Sequence, residues 1–321
     1  MNLKTKFTEQ AGIEYPIICG AMYPCSNPEL VAAASAAGGL GIVQPLSLTF
    51  VHKHDFREGL KLIRSITDKP IGLNVLVEKS SAQYQDMNKK WVDIALEEGV
   101  KFFITALGNP TWVRDRIKPH GGILYHDVVN KKWAQMAIDY GVDGLIAVNN
   151  RAGGHAGDQT PEQLIADLKS FGKPVVCAGG IGDRAGFEKA LSLGFDGIQM
   201  GTRFIATEEC TAHADYKAAI LNATGDDIIL TKKLSGVNVA VINTSYMKRI
   251  GANPGKLAQY FLDHPKLKHY MRLFYLLKST LDLKKAAMQG ESFKDFWQAG
   301  KSVDGIEKIE SVKNIVQRFV S

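Results

Sequence analysis

From residue 15 to about residue 224, short apolar runs alternate with amphipathic segments. The runs are "YPIICGAM" (15–22), "LGIVQP" (40–45), "PIGLNVLV" (70–77), "KFFITAL" (101–107), "GILYHDV" (122–128), "DGLIAV" (143–148), "KPVVCAGG" (173–180) and "DGIQMGT" (196–202). They are short and continuously apolar, as strands buried on both faces are. Between them, helical spacing covers 27–39, 55–66, 82–98, 110–118, 130–140, 161–171 and 183–194, and a further helix is expected to start near Glu208. Asn27 before Pro28, and Thr160 before Pro161, set a capping residue ahead of a proline suited to a first helical turn. Strict strand–helix alternation predicts an α/β fold, a parallel sheet with helices outside. Eight units predict closure into a (β/α)8 TIM barrel. A doubly wound open sheet is the alternative, but "CGAMYPCSN" after the first strand is not its G-x-G-x-x-G fingerprint.

Residues 225–303 break the rhythm and read as helical, in "NPGKLAQYFLDH", "HYMRLFYLLKSTLDLKKAAMQG" and "ESFKDFWQAG". The expected division is a barrel over 1–224, an appended C-terminal helical lobe over 225–303, and an amphipathic C-terminal helix over 304–321 packing on the barrel. Charge follows this division. Residues from 225 onward carry sixteen Lys/Arg against nine Asp/Glu, whereas residues 1–224 sum to −1 within a chain of net charge +6. The excess reads as a solvated helical surface, and the lobe is the surface expected to pair two copies in a homodimer. "MRLFYLLKSTL" is basic and aromatic and could touch a membrane surface, but helix packing on the barrel or on a second subunit is the better expectation. No run approaches the length needed to span a bilayer. No basic stripe is interleaved with aromatics in a nucleic-acid module, so nucleic acid is not an expected partner. "MNLKTKFTEQAGIEYP" lacks a signal peptide's apolar stretch, which favours a cytoplasmic protein. Cys19, Cys25, Cys177 and Cys210 form no C-x-x-C pair and are expected to be reduced thiols, not zinc ligands.

A TIM barrel carries its active site on the loops after its strands. Here those loops hold Gly20, Ala21 and Met22, then Asn74, then His126–Asp127, then "NNRAGGHAG" (149–157), "AGGIGD" (178–183) and "MGTRF" (200–204). Gly179, Gly180, Gly201 and Thr202 follow strands seven and eight, the usual phosphate site of this fold, where backbone N–H groups face an anion. They suit phosphate or simply tight turns, and Arg203 adds a charge beside them. His155 lies between glycine steps on the loop after strand six, presented rather than packed. It is a candidate for proton transfer, for metal binding or for a turn, and the absence of a matching ligand set argues against metal. Asn74 and His126 end strands three and five, and Asn74 suits a cofactor heterocycle or a turn cap. His52 and His54 alternate in a loop and are expected to face solvent.

In order along the chain, "PIICGAM", "NPELVAAASAAGGLG", "PIGLNVLV", "AGGHAG", "PVVCAGGIGD" and "GIQMGTRFIATEEC" resemble the 2-nitropropane dioxygenase or nitronate monooxygenase family. The tail "FWQAGKSVDGIEKIESVKNIV" is similar to that of reductase-type relatives, the FMN-dependent enoyl-acyl-carrier-protein reductases and NADH:quinone reductases. The resemblance implies one FMN, held without a covalent bond. It sets Gly20, Ala21 and Met22 beside the flavin ring, Asn74 on the ring or ribityl chain, and Gly179, Gly180, Gly201 and Thr202 on the phosphate. Gln199 and Met200 belong to the same stretch, Gly153 opens the A-G-G-H motif, and His155 would be catalytic. Val148 stands where members often carry Gln, Glu or Asp, and His126 where some reductase-type members carry lysine, so both are expected near the flavin. The implied reaction is oxidation of alkyl nitronates with O2 to carbonyl compounds and nitrite. The alternatives are NAD(P)H-dependent reduction of quinones or enoyl thioesters, and a flavin-binding scaffold without activity.

Overall fold

The computed structural model describes residues 2–77, 82–264, 267–289 and 296–321. Eight parallel strands close into a barrel: β1 (Ile17–Cys19), β2 (Leu40–Val43), β3 (Ile71–Leu76), β4 (Phe102–Ala106), β5 (Ile123–Val128), β6 (Gly144–Val148), β7 (Val175–Ala178) and β8 (Gly197–Met200). The ring closes where β8 pairs with β1, with Ile18 opposite Gln199 and Cys19 opposite Met200. All eight expected strands are present, and the expected barrel with its outer helices is the observed fold.

Before the ring comes α1 (Lys6–Ala11), which the apolar pattern did not predict. Thr5 and Thr8 close a capping box at its start. The helix plugs the barrel's lower end, and Phe7 joins the inner cluster of Ile18, Leu40, Ile42, Phe102, Ile104, Tyr125, Ile146 and Val176. Outside the ring run α2 (Pro28–Ala36), α3 (Phe56–Ile66), α4 (Ala82–Glu97), α5 (Thr111–Ile117), α6 (Lys131–Asp139), α7 (Pro161–Leu168) and α8 (Arg184–Ser192). A second core lies between these helices and the strands and includes Ile17, Cys19, Leu73, Phe103, Leu124, Leu145, Cys177 and Met200. Each strand therefore alternates inward and outward residues, although its sequence reads as one apolar run.

After β8 the chain departs from expectation. No helix starts at Glu208; α9 (Thr202–Ile205) and α10 (Ala214–Asn222) bracket an extended stretch. Within 225–303, "IILT" and "VAVI" form an antiparallel hairpin of β9 (Ile228–Thr231) and β10 (Val239–Ile242). Their β-branched residues favour strand over helix. Then follow α11 (Ser245–Ile250), α12 (Lys256–Asp263) and α13 (Lys268–Gln289). The basic, aromatic stretch 271–281 lies in α13, but most of the side chains behind its membrane-surface reading fall outside the described residues. Residues 290–295 of "ESFKDFWQAG" are also outside them. Residues 296–300 form a strap, not a helix: Ile242 donates its N–H to Trp297 O, and Tyr216 its hydroxyl to Gln298 O at 2.5 Å. The final helix, α14 (Val312–Val320), is shorter than the expected 304–321. Among the described residues no helix is long and apolar enough to cross a membrane.

Candidate functional site

Strand alternation defines the floor of the barrel mouth. Ile42, Ile104, Tyr125, Ile146 and Val176 point inward. The next inward positions toward the mouth are Gln44, Asn74, Asp127, Val148, Ala178 and Gln199. Ala21 and Val148 pack on the top of the inner cluster. Gln44 is satisfied internally, its Oε1 accepting from Ser47 N at 2.6 Å. Asp127 Oδ1 and Gln199 Oε1 are sealed from water without partners, and Asn74 is half-buried. An orphaned buried polar group costs about 1–3 kcal/mol, so such groups gather where a ligand completes them. Gly20 makes room for Gln199, whose Cγ would lie 3.0 Å from a Cβ on it. Met22 leans over Gly201, with its sulfur 3.4 Å from the position a Cβ would take there.

Two residues expected at the flavin turn their side chains away. His126 alternates with Tyr125 and so faces the helices, its Nδ1 2.8 Å from Thr105 Oγ1 on the paired strand. Burial lowers its pKa to about 4 and keeps the ring neutral. Met200 packs in the outer core and offers the mouth only its backbone, where its carbonyl accepts from Gly20 N at 2.9 Å. The inward residue at the end of β5 is Asp127, whose carboxyl is pushed up to about 7 by burial. Inward Ile123 and Tyr125 fix this parity along "ILYHDV".

The loops after β6, β7 and β8 are pinned together. Gly179 has φ +119°, and a Cβ on it would come within 2.6 Å of Ala152 N and Asn149 Oδ1. Gly180, at φ +79°, packs as closely on Arg151. Asn149 is fully buried; its Nδ2 donates to Gly179 O at 3.0 Å and its Oδ1 accepts from Arg151 N at 2.8 Å. Sequence reasoning passed over Asn149, although it opens the His155 loop. The strap reaches the same place: Gly300 N donates to Thr202 Oγ1 at 3.0 Å, leaving the hydroxyl proton for another acceptor. Gly153 lies against the strap, where a Cβ would meet Gly300 N at 2.8 Å. A groove of about 600 Å³ opens from Gly179 and Gly180 past Arg151, Lys189 and Lys301. Arg203 adds no charge to it. It is fully buried, and its Nη2 donates to Ala206 O and Lys308 O.

His155 is exposed on the mouth side. Gly154 before it pairs with Ala240 of β10, accepting from Ala240 N at 2.7 Å. The ring's Nε2 lies 3.0 Å from Ser235 Oγ on the hairpin turn, a partner invisible in the sequence. Crowding by protein lowers the His155 pKa, so the imidazole is neutral near pH 7. His52 is not solvent-facing as expected: its Nε2 is buried without a partner. All four cysteines are free and buried, and no metal-binding cluster occurs among the described residues.

The sequence model of the family described as nitronate monooxygenase matches residues 4–321. The chain belongs to that family. The nitronate monooxygenase family is one of FMN-dependent oxidoreductases, and this chain is such an enzyme. A "(3aS,4S,5R,7aS)-5-hydroxy-7a-methyl-1-oxo-octahydro-1H-indene-4-carboxyl-CoA dehydrogenase" of Rhodococcus jostii is 28% identical over 291 residues, covering 89% of this chain and 80% of the relative. A probable nitronate monooxygenase of Staphylococcus aureus is 26% identical over 300 residues, covering 80% and 83%. Among solved structures, FabK from Thermotoga maritima is similar with a TM-score of 0.81 at 29% identity, over 99% of this chain and 96% of that one. Nitroalkane oxidase from Streptomyces ansochromogenes shares the fold, with a TM-score of 0.77 at 21% identity over 98% and 96%.

Proposed function

We propose that this chain binds FMN at the barrel mouth and oxidises alkyl nitronates with O2 to carbonyl compounds and nitrite. The observation that carries the cofactor reading is the floor itself. Asp127 and Gln199 present unbonded buried oxygens, with the Asn74 amide on the same floor, above an apolar barrel core, which fits a flat, polar-edged ring. Gly179, Gly180, Gly201 and Thr202 would hold the phosphate, with the Thr202 hydroxyl free to donate. Bound FMN supplies the electron transfer. The chain supplies position and proton control. Neutral His155, steadied by Ser235, would hold the nitronate by a hydrogen bond, or take the α-carbon proton of a neutral nitroalkane to form that nitronate. Ala21, Met22 and Val148 offer an apolar surround to the ring.

A second reading has specific support. The Rhodococcus relative is named for a carboxyl-CoA substrate, and it and FabK match at 28% and 29% identity, against 26% for the Staphylococcus protein. On that reading the same floor serves NAD(P)H-dependent reduction of an enoyl thioester or quinone. Oxygen uptake with a nitronate and no nicotinamide supports the first function. NADH oxidation that requires a thioester or quinone, with no nitronate turnover, replaces it with the second. In either case His155→Ala is expected to lower kcat/KM by about 10²–10⁴-fold. Unchanged turnover removes His155 from the chemistry.

A further inference from the structure

Adjacent residues at the end of β5 carry titratable groups to opposite sides of the sheet. His126 faces the helices and is satisfied by Thr105. Asp127 takes the inward position above Tyr125, and its Oδ1 is sealed from water with no partner. Among the described residues no counter-charge faces it. Beside it in the sheet register β4 contributes Ala106 and β6 contributes Ile146, with Val148 the next inward residue of β6 toward the mouth. Across the floor stand the neutral amides Asn74 and Gln199. On the loop after β6, His155 is neutral and bonded to Ser235, Arg151 is turned to Asp304 at 3.7 Å, and Asp158 is exposed. Burial alone pushes the Asp127 carboxyl up, to about 7.

A carboxylate is costly in such a place, whereas a neutral carboxyl has one proton to donate. The flavin ring presents carbonyl oxygens and ring nitrogens that accept hydrogen bonds. An ionised Asp127 would set acceptor against acceptor. We propose that Asp127 holds a proton at neutral pH and donates it as a hydrogen bond to the ring of bound FMN, so that losing this proton weakens cofactor binding. The proposal rests on the FMN reading above. No covalent bond changes: the proton stays on Asp127 in the complex and passes to solvent when the carboxyl ionises. The ring also excludes water from Asp127, which strengthens its hold on the proton. Binding and protonation are therefore linked, and affinity falls by up to about tenfold per pH unit above the apoprotein's ionisation point.

The test is titration of apoprotein with FMN, followed by quenching of flavin fluorescence, between pH 7 and 9. The FMN phosphate is doubly ionised throughout this range, its second pKa being about 6. The wild-type Kd is expected to rise about tenfold or more, and the Kd of Asp127→Asn to stay within about twofold. Calorimetry of wild-type binding at pH 8, in buffers of different ionisation enthalpy, is expected to show net proton uptake and needs no variant. Equal pH dependence in both proteins, or binding without proton uptake, overturns the Asp127 assignment and leaves FMN binding intact. Failure of FMN to bind either folded protein at any pH overturns the cofactor reading itself.

Discussion

The two ends of the barrel interior are built by the same strands and finished in opposite ways. At the lower end, Phe7 meets Phe102 and Tyr125, each at a ring-centroid distance of 5.8 Å. The Tyr125 hydroxyl there donates to Gln10 Oε1 at 2.8 Å. At the upper end the same inward alternation delivers Asn74, Asp127 and Gln199, and the sealed oxygens of the latter two have no partner. The lower end is complete by itself and contributes stability. The upper end leaves those two oxygens unpaired, at a cost in stability that a cofactor bound as proposed would offset.

Truncating the plug is the strongest way to break this comparison. Phe7→Ala removes a fully buried ring from the lower end and is expected to cost about 3–5 kcal/mol in urea unfolding. The FMN Kd of the folded variant should stay within about threefold of wild type. Lost affinity at unchanged stability would reverse the roles of the two ends. Gly179→Ala acts at the upper end instead. Its φ of +119° and the 2.6 Å approach to Ala152 N leave no room for a methyl group. The expected cost is about 1–3 kcal/mol, together with a loss of FMN affinity of tenfold or more. Full affinity in this variant would take the phosphate away from the β7 loop.

The lower end and the ring were largely legible in sequence, because eight apolar runs with helical segments between them admit few topologies. What stayed hidden was parity and the contribution of distant chain. A continuous run such as "ILYHDV" does not announce which residues face inward until one is anchored, here by Tyr125 against Phe7. That is why His126, the residue with the conventional functional pKa, drew the attention that Asp127 merited. The strap at 296–300 and the hairpin β9–β10 reach Thr202 and His155 from 80 to 98 residues away. No local pattern encodes such contacts.

His126 and Asp127 sharpen the comparison through pH. The folded state resists protonating His126 until about pH 4, while the unfolded chain takes that proton near 6.5. This stability is complete above pH 6.5 and is lost as pH falls toward 4. Asp127 works the other way. The unfolded carboxyl ionises near 3.8, the folded one near 7, so its contribution is complete below 3.8 and is lost as pH rises to 7. Between about pH 4 and 6.5 the two proton counts oppose each other. In apoprotein, Asp127→Asn is therefore expected to add about 1.4 kcal/mol per pH unit to the slope of stability against pH over this window. His126→Gln should subtract a similar amount. Parallel wild-type and variant curves would mean that neither group is held neutral.

The smallest effect is expected where lobe and barrel meet at the site. Ser235 is a positioning residue, touching His155 across the mouth from the hairpin turn. Ser235→Ala removes one hydrogen bond in an accessible place, worth about 0.5–1.5 kcal/mol, so kcat/KM should fall about tenfold at most. Global stability should move by less than about 0.5 kcal/mol. The diagnostic readout is the acid limb of the pH–rate profile. Crowding holds the His155 pKa below its ordinary value, and opening the hairpin contact admits water. The pKa then rises toward 6.5 and the acid limb moves to higher pH. An unmoved limb, with the same loss of rate, would make Ser235 a packing residue of the hairpin and leave His155 poised by its own loop alone.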